Sequence, residues 1–299
     1  MSTPLEPDQV FRNAMVKKLK SEGYLTDPVV ERAMLSVPRH KFAHWLSLEQ
    51  AHDFAAHPLP GTTEQTMSTI SNPNAVAVML EPLDLQPGFS VLEIGAGSGY
   101  NAALIAQIVG ETGHVTTVDI EDFIVQTARA NLLATGFERV EVILGDGGLG
   151  FAANAPYDRI TATVGAWEIP LEWFDQLAPH GRIAAPLHLF GDPSDHEYVI
   201  LEHEGNHLAG HVTVDLAMVL MRGGPGAHPE IPEPKIPGGP SVMPKHIKLN
   251  VFKKSDPEAP KPQQLEVHGD RARKVLEKKW TMIELNIEVD LEDGHGGVG

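Results

Sequence analysis

The segment Val91–Tyr100 constrains the fold of this chain more than any other part of its sequence. An apolar run leads through Glu93 into three glycines, at positions 95, 97 and 99. Glycine tolerates positive φ and lets a ligand approach the backbone closely, because it has no Cβ. The residues from about Asn101 onward have helical spacing. The segment therefore predicts a strand, a tight ligand-binding turn and a helix, the unit from which doubly wound parallel sheets are built.

Short β-rich runs alternate with longer amphipathic stretches between residues 90 and 189. Alternation of this kind predicts parallel βαβ units, in which each helix carries the chain back across the sheet. The predicted strands are Ser90–Ile94, His114–Asp119, Val140–Leu144, Asp158–Thr163 and Arg182–Leu187, and the predicted helices are Asn101–Val109, Phe123–Thr135 and Leu171–Leu177. We therefore expect an α/β fold with a Rossmann-like, doubly wound sheet.

Elements of a different character flank this region. Phe11–Phe42 has apolar residues at helical spacing, with one interruption at Gly23, and predicts an N-terminal helical region. Two strand-like runs, Tyr198–Leu201 and His211–Leu220, are separated by a Gly-Asn turn at 205–206. We expect these two runs to form an antiparallel pair at the edge of the sheet.

The last 78 residues differ in composition from the rest of the chain. Residues 222–244 are crowded with Gly and Pro and cannot form a helix or a central strand. Strand-like runs at Ile247–Phe252 and Met282–Leu291 enclose a helical pattern at Pro262–Glu277. We predict a main domain at 1–221, a linker at 222–244, a small α+β C-terminal module at 245–291 and a disordered tail at 292–299.

Acidic residues at the ends of successive predicted strands indicate the ligand. Glu93 precedes the first glycine, Asp119 ends the next strand, and Asp146 follows the third. A carboxylate at the second position can bind both ribose hydroxyls, and one at the third can bond an adenine amine. No Lys or Arg stands where a phosphate would bind, so we predict S-adenosylmethionine rather than a dinucleotide. The predicted cofactor-binding residues are Glu93, Gly95, Ala96, Gly97, Ser98, Gly99, Asp119, Ile120, Asp146 and Gly147.

Seven short motifs occur between residues 10 and 215. They are Val37–Phe42, Pro58–Pro60, Gln65–Pro73, Leu92–Tyr100, Gly145–Gly147, Ala155–Asp158 and Leu177–Arg182. In order and spacing they resemble the motifs of protein-L-isoaspartate O-methyltransferases. The resemblance implies methyl transfer from S-adenosylmethionine, with S-adenosylhomocysteine as product, to a peptide or protein substrate bearing aspartate or isoaspartate.

The same resemblance places the Thr-Ile-Ser-x-Pro segment beside the transferable methyl. It thereby implies catalytic roles for Thr69 and Ser71, with the serine hydroxyl helping to hold the acceptor carboxylate. Read locally, Ser71 is instead an N-cap ahead of Ala75–Leu80, since Ser-x-Pro suits a helix start. The two roles are compatible.

The chain departs from that family's pattern at four places. The loop Pro60–Ser71 is lengthened, the loop Val164–Pro170 has a changed sequence, and a strand end reads Met218–Arg222. Some 75 further residues follow where family members usually stop. Two of these changes touch substrate-facing loops, so we expect altered acceptor choice. The predicted substrate pocket consists of Asn72, Trp167 and Glu168.

Three functions are compatible with the sequence. With its changed loops and added C-terminal segment, the chain most resembles the branch of that family that modifies ribosomally made peptides. The leading interpretation is what this resemblance implies, methylation of an ordinary aspartate in such a peptide, which leads to a succinimide (aspartimide) or to isoaspartate. The alternative is general repair of isoaspartyl residues, and the third is a non-catalytic S-adenosylmethionine-binding module. Basic clusters at 245–254 and 271–279 suggest that the C-terminal module grips an acidic peptide. A solvated basic helix face explains these clusters equally well.

Composition argues against several other classes of protein. The formal charge of −17 falls on residues 1–221, and an acidic body argues against nucleic acid as a partner. No run is long and apolar enough for a membrane span, and the N-terminus does not resemble a secretory signal. The chain has no cysteine, as is typical of a cytoplasmic protein. None of its 15 histidines has metal-binding spacing on a predicted helix, so no metal site is expected.

Overall fold

A central β-sheet flanked by helices organises the chain, which we describe from a computed structural model. The structure describes residues 6–63, 68–188, 195–204, 207–227, 248–253 and 283–288. The helices are α1 Pro7–Ser21, α2 Pro28–Ser36, α3 Leu48–Ala51, α4 Pro73–Leu80, α5 Tyr100–Val109, α6 Asp122–Thr135 and α7 Leu171–Asp175. The strands are β1 His57–Pro58, β2 Thr69–Ile70, β3 Ser90–Ile94, β4 His114–Asp119, β5 Glu141–Leu144, β6 Tyr157–Ala162, β7 Leu177–Leu187, β8 Asp195–Glu204, β9 His207–Ala217, β10 Lys248–Lys253 and β11 Ile283–Glu288.

The sheet has the strand order β10-β11-β9-β8-β7-β6-β3-β4-β5. The strands β3 to β7 are mutually parallel. The remaining neighbours are antiparallel: β8 pairs with β7, β9 with β8, β11 with β9, and β10 with β11. A separate two-stranded pair joins β1 to β2. The expected α/β fold with a doubly wound parallel core is confirmed.

The central strands contain adjacent apolar residues that are buried on both faces of the sheet. In β3, Val91 and Leu92 are both completely buried, because a parallel strand in the middle of a doubly wound sheet is covered on both faces. The observed bounds of β3 and β4 coincide with the predicted ones. Helix α6 ends at Gly136, whose φ of +82° suits the left-handed conformation that stops a helix.

The N-terminal helical region consists of two helices that pack against the core. Helix α2 begins at Pro28, and the side chain of Asp27 accepts a hydrogen bond from Val29 N at its start. Leu19 of α1 and Met34 of α2 are both completely buried. Burial of apolar side chains of this size stabilises the fold by about 1.5–3 kcal/mol each, which fixes this region on the sheet domain.

The predicted boundary between helix α7 and strand β7 is wrong by several residues. The strand begins at Leu177, not at Arg182, and the helix ends at Asp175. The reason is pairing with the neighbouring strand: Tyr157 N donates to Gln176 O at 2.8 Å, and Leu177 lies opposite Tyr157 in the sheet. Sheet hydrogen bonds therefore take over where the sequence pattern still permits a helix.

The expected antiparallel pair is present as β8 and β9, but it does not form the edge of the sheet. Strand β11 pairs with β9, and β10 pairs with β11. Two strands of the predicted C-terminal module therefore extend the sheet of the main domain. The Gly-Asn turn at 205–206, the helix predicted at 262–277 and the tail at 292–299 lie outside the described residues, and the division into a module stays a prediction.

The beginning of the predicted linker is part of the main domain. Gly223, Pro225 and Gly226 are buried, and Trp167 N donates to Gly226 O at 2.8 Å. The first residues of the predicted Pro/Gly-rich linker, 222–227, therefore pack against the main domain. Glycine and proline here allow close packing rather than flexibility, while residues 228–244 lie outside the described part of the chain.

The crossover from β5 to β6 fixes where a ligand can bind. From β3 the chain moves outward through β4 to β5, then crosses back to β6 on the other side of β3. Such a switch point leaves a crevice at the carboxyl ends of the strands, where open α/β sheets bind their ligands. No described helix has the length and apolarity that would let it cross a bilayer.

Candidate active site

A cavity of about 350 Å³ opens at the carboxyl ends of β3, β4 and β6. Its volume lies within the range of 300–1,000 Å³ that is typical of small-molecule sites. It is lined by Ala56, Ser68, Thr69, Ser71, Asn72, Ala75, Ile94, Gly95, Gly97, Val118, Asp119, Ile120, Ile124, Gly147, Thr163, Val164 and Met218–Arg222. The cavity therefore joins the glycine turn to the segment before α4 and to the residues after β9.

The glycine turn forms the floor of the cavity. Gly95 and Gly97 have φ values of +97° and +50° and both line the cavity. A Cβ on Gly95 would lie 2.5 Å from Thr163 Oγ1, a distance that real side chains do not adopt. Gly99 instead faces α6, where a Cβ would lie 3.1 Å from Leu132 Cγ. Two of the three glycines therefore border the cavity, and the third allows helix α6 to pack closely.

Asp119 holds the glycine turn in place from the end of β4. One carboxylate oxygen accepts from Ala96 N at 3.0 Å and Gly97 N at 3.4 Å, and the other accepts from Glu121 N at 3.1 Å. Burial raises the pKa of the Asp119 carboxyl, against the lowering effect of these backbone bonds. A carboxylate has about four acceptor positions, so Asp119 can still accept from a ribose. Asp119 and its neighbour Ile120 both line the cavity.

Glu93 lies behind the glycine turn and does not line the cavity. Its side chain is completely buried, and its two oxygens accept from Thr117 Oγ1 at 2.6 Å and Asn101 Nδ2 at 2.8 Å. Burial raises the pKa of the Glu93 carboxyl to about 7. The geometry shows Glu93 joining β3, β4 and α5 behind the turn, while its predicted cofactor contact stays a prediction.

The raised pKa of Glu93 predicts a pH-dependent effect of Glu93→Gln on stability. Between the unfolded pKa of 4.5 and the folded value of about 7, the folded protein binds the proton more tightly. The contribution of this carboxyl to stability is therefore lost as pH rises through 7. Glutamine does not titrate, so Glu93→Gln does not lose this contribution as the pH rises. The free energy of unfolding of Glu93→Gln minus that of wild type should therefore increase by about 3 kcal/mol between pH 4.5 and 8. Urea unfolding at both pH values measures this, and a pH-independent difference would contradict it.

Asp146 lies below the segment that follows β9. Its two oxygens accept from Gly148 N at 2.8 Å and from Gly224 N at 2.6 Å. Although its neighbour Gly147 lines the cavity, Asp146 does not. Residues 223–224 therefore contact the carboxylate that the sequence predicts to bond an adenine amine, and that role of Asp146 stays a prediction.

The predicted acceptor residues lie opposite the glycine turn. Thr69 and Ser71 both line the cavity, and a Cβ on Gly97 would lie 3.6 Å from Thr69 O. The N-cap of α4 is Asn72, whose Oδ1 accepts from Ala75 N at 2.9 Å. The N-cap interpretation of Ser71 is therefore wrong, and the serine hydroxyl is not used to begin the helix. Asn72 also lines the cavity.

Trp167 and Glu168 lie outside the lining of the cavity. The Trp167 ring stacks on His188 with a centroid separation of 4.2 Å, and the Trp167 backbone is bonded to Gly226. The structure thus places this loop beneath residues 222–227, a contact that sequence spacing could not reveal. Their predicted role in the substrate pocket stays a prediction.

Two segments that depart from the family's pattern bind each other beside the cavity. Gly165 N donates to Val219 O, and Met221 N donates to Gly165 O, both at 2.8 Å. Arg222 forms an ion pair with Glu121, near Asp119. Residues 218–222 make up one wall of the cavity, although the sequence marked them only as unusual.

Thr163 is a site residue that the sequence analysis missed. It directly follows β6, and its Oγ1 lies 2.8 Å from Gly95 O. The sequence could have indicated Thr163, because it ends a predicted strand and residues at the carboxyl ends of adjacent parallel strands meet at the switch point. The same reasoning would have included Val164, which also lines the cavity.

The residues present suit S-adenosylmethionine. Glycines with no room for a Cβ border the cavity, Asp119 can bind the ribose, and Ile94, Ile120 and Ile124 supply apolar contacts. The lining that the structure describes has no cluster of cations of the kind that would bind a pyrophosphate. The described residues also hold no group of three or more metal-binding side chains.

Comparison with known proteins gives a consistent result. The family model for protein-L-isoaspartate(D-aspartate) O-methyltransferase matches residues 10–207. The chain is similar to the protein-L-isoaspartate O-methyltransferase of Methanopyrus kandleri, with 45% identity over 186 residues that cover 61% of this chain and 80% of the relative. The Pyrococcus horikoshii protein of the same name is 45% identical over 172 residues, or 58% of this chain and 75% of the relative.

Solved structures agree with the sequence matches. A protein-L-isoaspartate O-methyltransferase structure aligns with a TM-score of 0.66 and 30% identity, covering 72% of this chain and 67% of the other. A Plasmodium falciparum protein in complex with S-adenosyl-L-homocysteine aligns with a TM-score of 0.61 over 71% of this chain and 98% of the other. Because its identity is only 20%, the second match shows the fold alone.

Proposed function

This chain belongs to the protein-L-isoaspartate(D-aspartate) O-methyltransferase family, and we propose that it methylates the free carboxylate of isoaspartyl residues in peptides or proteins. It is an S-adenosylmethionine-dependent methyltransferase. When bound, the cofactor supplies an electrophilic methyl group on a sulfonium. The residues of this chain then have to bind the acceptor, orient it and keep competing water away.

The main support for this proposal is that few side chains lining the cavity are ionisable. Among the described lining residues, only Asp119 and Arg222 are ionisable. Asp119 is bonded to three backbone N–H groups, and Arg222 is paired with Glu121. A hydroxyl or ammonium acceptor needs a general base, whereas a carboxylate is already ionised at neutral pH. The cavity therefore suits a carboxylate acceptor.

Positioning should account for most of the rate enhancement. The transfer is an in-line displacement, for which alignment of the reacting groups contributes several kcal/mol. Ser71 offers a hydroxyl donor at the cavity wall, and Thr69 lies opposite Gly97. These residues are proposed to hold the acceptor carboxylate beside the transferable methyl.

A second candidate acceptor is an ordinary aspartate in a ribosomally made peptide, which was the leading interpretation of the sequence. The relatives named above are isoaspartate enzymes, and this favours the general acceptor. The observation in favour of the second candidate is the coupled change of two segments, since Gly165 binds Val219 and Met221 beside the cavity. Methylation there would lead to a succinimide and then isoaspartate.

Mass spectrometry on the full-length protein distinguishes these acceptors. The reactions contain S-adenosylmethionine and one of three peptides: an isoaspartyl peptide, its aspartyl counterpart, or a precursor peptide encoded beside the gene. Methyl addition to the isoaspartyl peptide alone supports the proposal. Modification of the precursor alone would replace it with the second candidate, and cofactor binding without any transfer would indicate a non-catalytic module.

Replacing Ser71 by alanine should lower kcat while cofactor affinity stays unchanged. Loss of one hydrogen bond to a charged group costs about 1.5–3 kcal/mol, which corresponds to a rate decrease of about 10- to 150-fold. Ser68→Ala is the matched control, because Ser68 lines the same wall three residues earlier. Methyl transfer to the isoaspartyl peptide and calorimetric titration of the cofactor measure the two effects. Equal losses in both variants would argue against a specific role of Ser71.

A further inference from the structure

A completely buried arginine lies behind the side of the cavity that carries the proposed acceptor residues Thr69 and Ser71, here called the acceptor wall. Arg39 belongs to the 3-10 turn Arg39–Phe42 that follows α2, and its relative exposure is 0%. Among the described residues it forms no salt bridge with a carboxylate. Burying a guanidinium costs free energy that its contacts must offset, so the groups that Arg39 contacts show what its burial achieves.

The guanidinium of Arg39 bonds to both ends of one loop. Its Nε donates to Ala51 O at 2.7 Å, and its Nη2 donates to Ser71 O at 2.6 Å. The chain between these two carbonyls carries Ala56, Ser68 and Thr69, which line the cavity. A single planar group therefore closes the loop 51–71 that contains the acceptor wall.

The same guanidinium touches the element that follows the glycine turn. Its central carbon lies 4.8 Å from the centre of the Tyr100 ring, and Tyr100 is the first residue of α5. Arginine is suited to such a place, because its rigid fork can bond two acceptors while its flat face rests on a ring. Arg39 thus joins the acceptor wall to the base of the cofactor turn.

From this geometry we infer that Arg39 is a positioning residue for methyl transfer, holding Ser71 and Thr69 at a fixed distance from the glycine turn. It does not touch the cavity and acts only through the loop that it closes. Lysine cannot replace it, since an ammonium has no fork that reaches both carbonyls in the same geometry. This inference rests on the proposed function for its kinetic test.

The chain offers a matched control in Arg159. This residue is also buried, donates to the carbonyls of Leu83 and Asp158, and lies 4.6 Å from the Phe89 ring. It is at the opposite end of the sheet, where β3 and β6 begin. Both arginines therefore make the same kinds of contact, but only Arg39 reaches the active site.

The test compares Arg39→Lys and Arg39→Met with Arg159→Lys and Arg159→Met in the full-length protein. We expect similar losses of thermal stability at the two sites. At saturating cofactor and isoaspartyl peptide, kcat should fall at least tenfold in Arg39→Lys and stay within twofold of wild type in Arg159→Lys. The Kd of S-adenosylmethionine should change less than threefold in both. A kcat of Arg39→Lys within twofold of wild type, or an equal loss in Arg159→Lys, would overturn the inference.

Hydrogen exchange tests the role of Arg39 independently of whether the proposed function is correct. The amides of the described residues 56–63 and 68–71 should exchange faster in Arg39→Lys than in wild type or Arg159→Lys, whatever the acceptor is. A wild-type protein that methylates no isoaspartyl peptide would overturn the function, and the exchange rates would then decide the role of Arg39. Unchanged exchange in Arg39→Lys would overturn the inference even if the enzyme is active.

Discussion

Gly95→Ala should weaken S-adenosylmethionine binding at least about 100-fold, or about 3 kcal/mol. The new Cβ would lie 2.5 Å from Thr163 Oγ1 and 3.1 Å from Val164 Cγ1. Relief of these contacts requires the turn to move away from the end of β6, and the turn forms the floor of the cavity. The φ of +97° adds backbone strain. Calorimetric titration of the cofactor measures the loss.

A control at a glycine remote from the cavity separates the effect of backbone strain from that of the collision between the new Cβ and Thr163. Gly136 also has a positive φ, +82°, but a Cβ there would meet nothing within 4 Å. Gly136→Ala should therefore lose about 1 kcal/mol of stability, the usual cost of this conformation for alanine, and bind the cofactor normally. If Gly95→Ala and Gly136→Ala bound the cofactor equally well, the proposed cavity would not be the cofactor site.

Asp119→Asn should weaken cofactor binding by about 10- to 150-fold, the equivalent of losing charge-assisted hydrogen bonds worth about 1.5–3 kcal/mol. The amide that replaces the carboxylate has only one acceptor oxygen. It cannot hold Ala96 N, Gly97 N and Glu121 N in the present arrangement and also accept from a ribose. Equilibrium titration with S-adenosylmethionine and with S-adenosylhomocysteine measures the effect, which should be of similar size for both because the ribose is common to them.

The matched control for that change is Asp122→Asn. Asp122 stands three residues later, in the first turn of α6, and its side chain accepts from Gln126 Nε2 on the protein surface. It lies outside the lining of the cavity. Removing this charge should leave cofactor affinity within about twofold of wild type. A loss in Asp122→Asn as large as that in Asp119→Asn would point to long-range electrostatics rather than to a direct contact.

The positions of the two changed segments bear on acceptor choice. The loop at 164–170 and the residues 218–222 were two separate irregularities in the sequence, and in the structure they are hydrogen-bonded neighbours. Only residues 218–222 and Val164 reach the cavity, whereas Trp167 packs on His188. Substitutions that are meant to change the acceptor should therefore be made at Met218–Arg222 first.

The sequence by itself determined the parallel core of the sheet, the glycine turn and the family. Adjacent apolar residues such as Val91 and Leu92 in β3 are both buried only in a strand that is covered on both faces. Glycines at 95, 97 and 99 permit a backbone that other residues disfavour. Local propensity and burial thus act in the same direction at these positions, so the pattern was sufficient to predict the central strands and Asp119 at the end of β4.

The tertiary structure decided which of the candidate residues share the cavity. Glu93 and Asp146 are adjacent to the turn or to a strand end, yet the carboxylate of Glu93 bonds Thr117 and Asn101, and that of Asp146 bonds Gly148 and Gly224. Arg39, distant in sequence from Ser71, binds its carbonyl. Three of these contacts, Glu93 with Thr117, Arg39 with Ser71 and Asp146 with Gly224, join chain segments separated by 24, 32 and 78 residues. Local sequence has no signal for them, because the geometry arises only when the sheet brings those segments together.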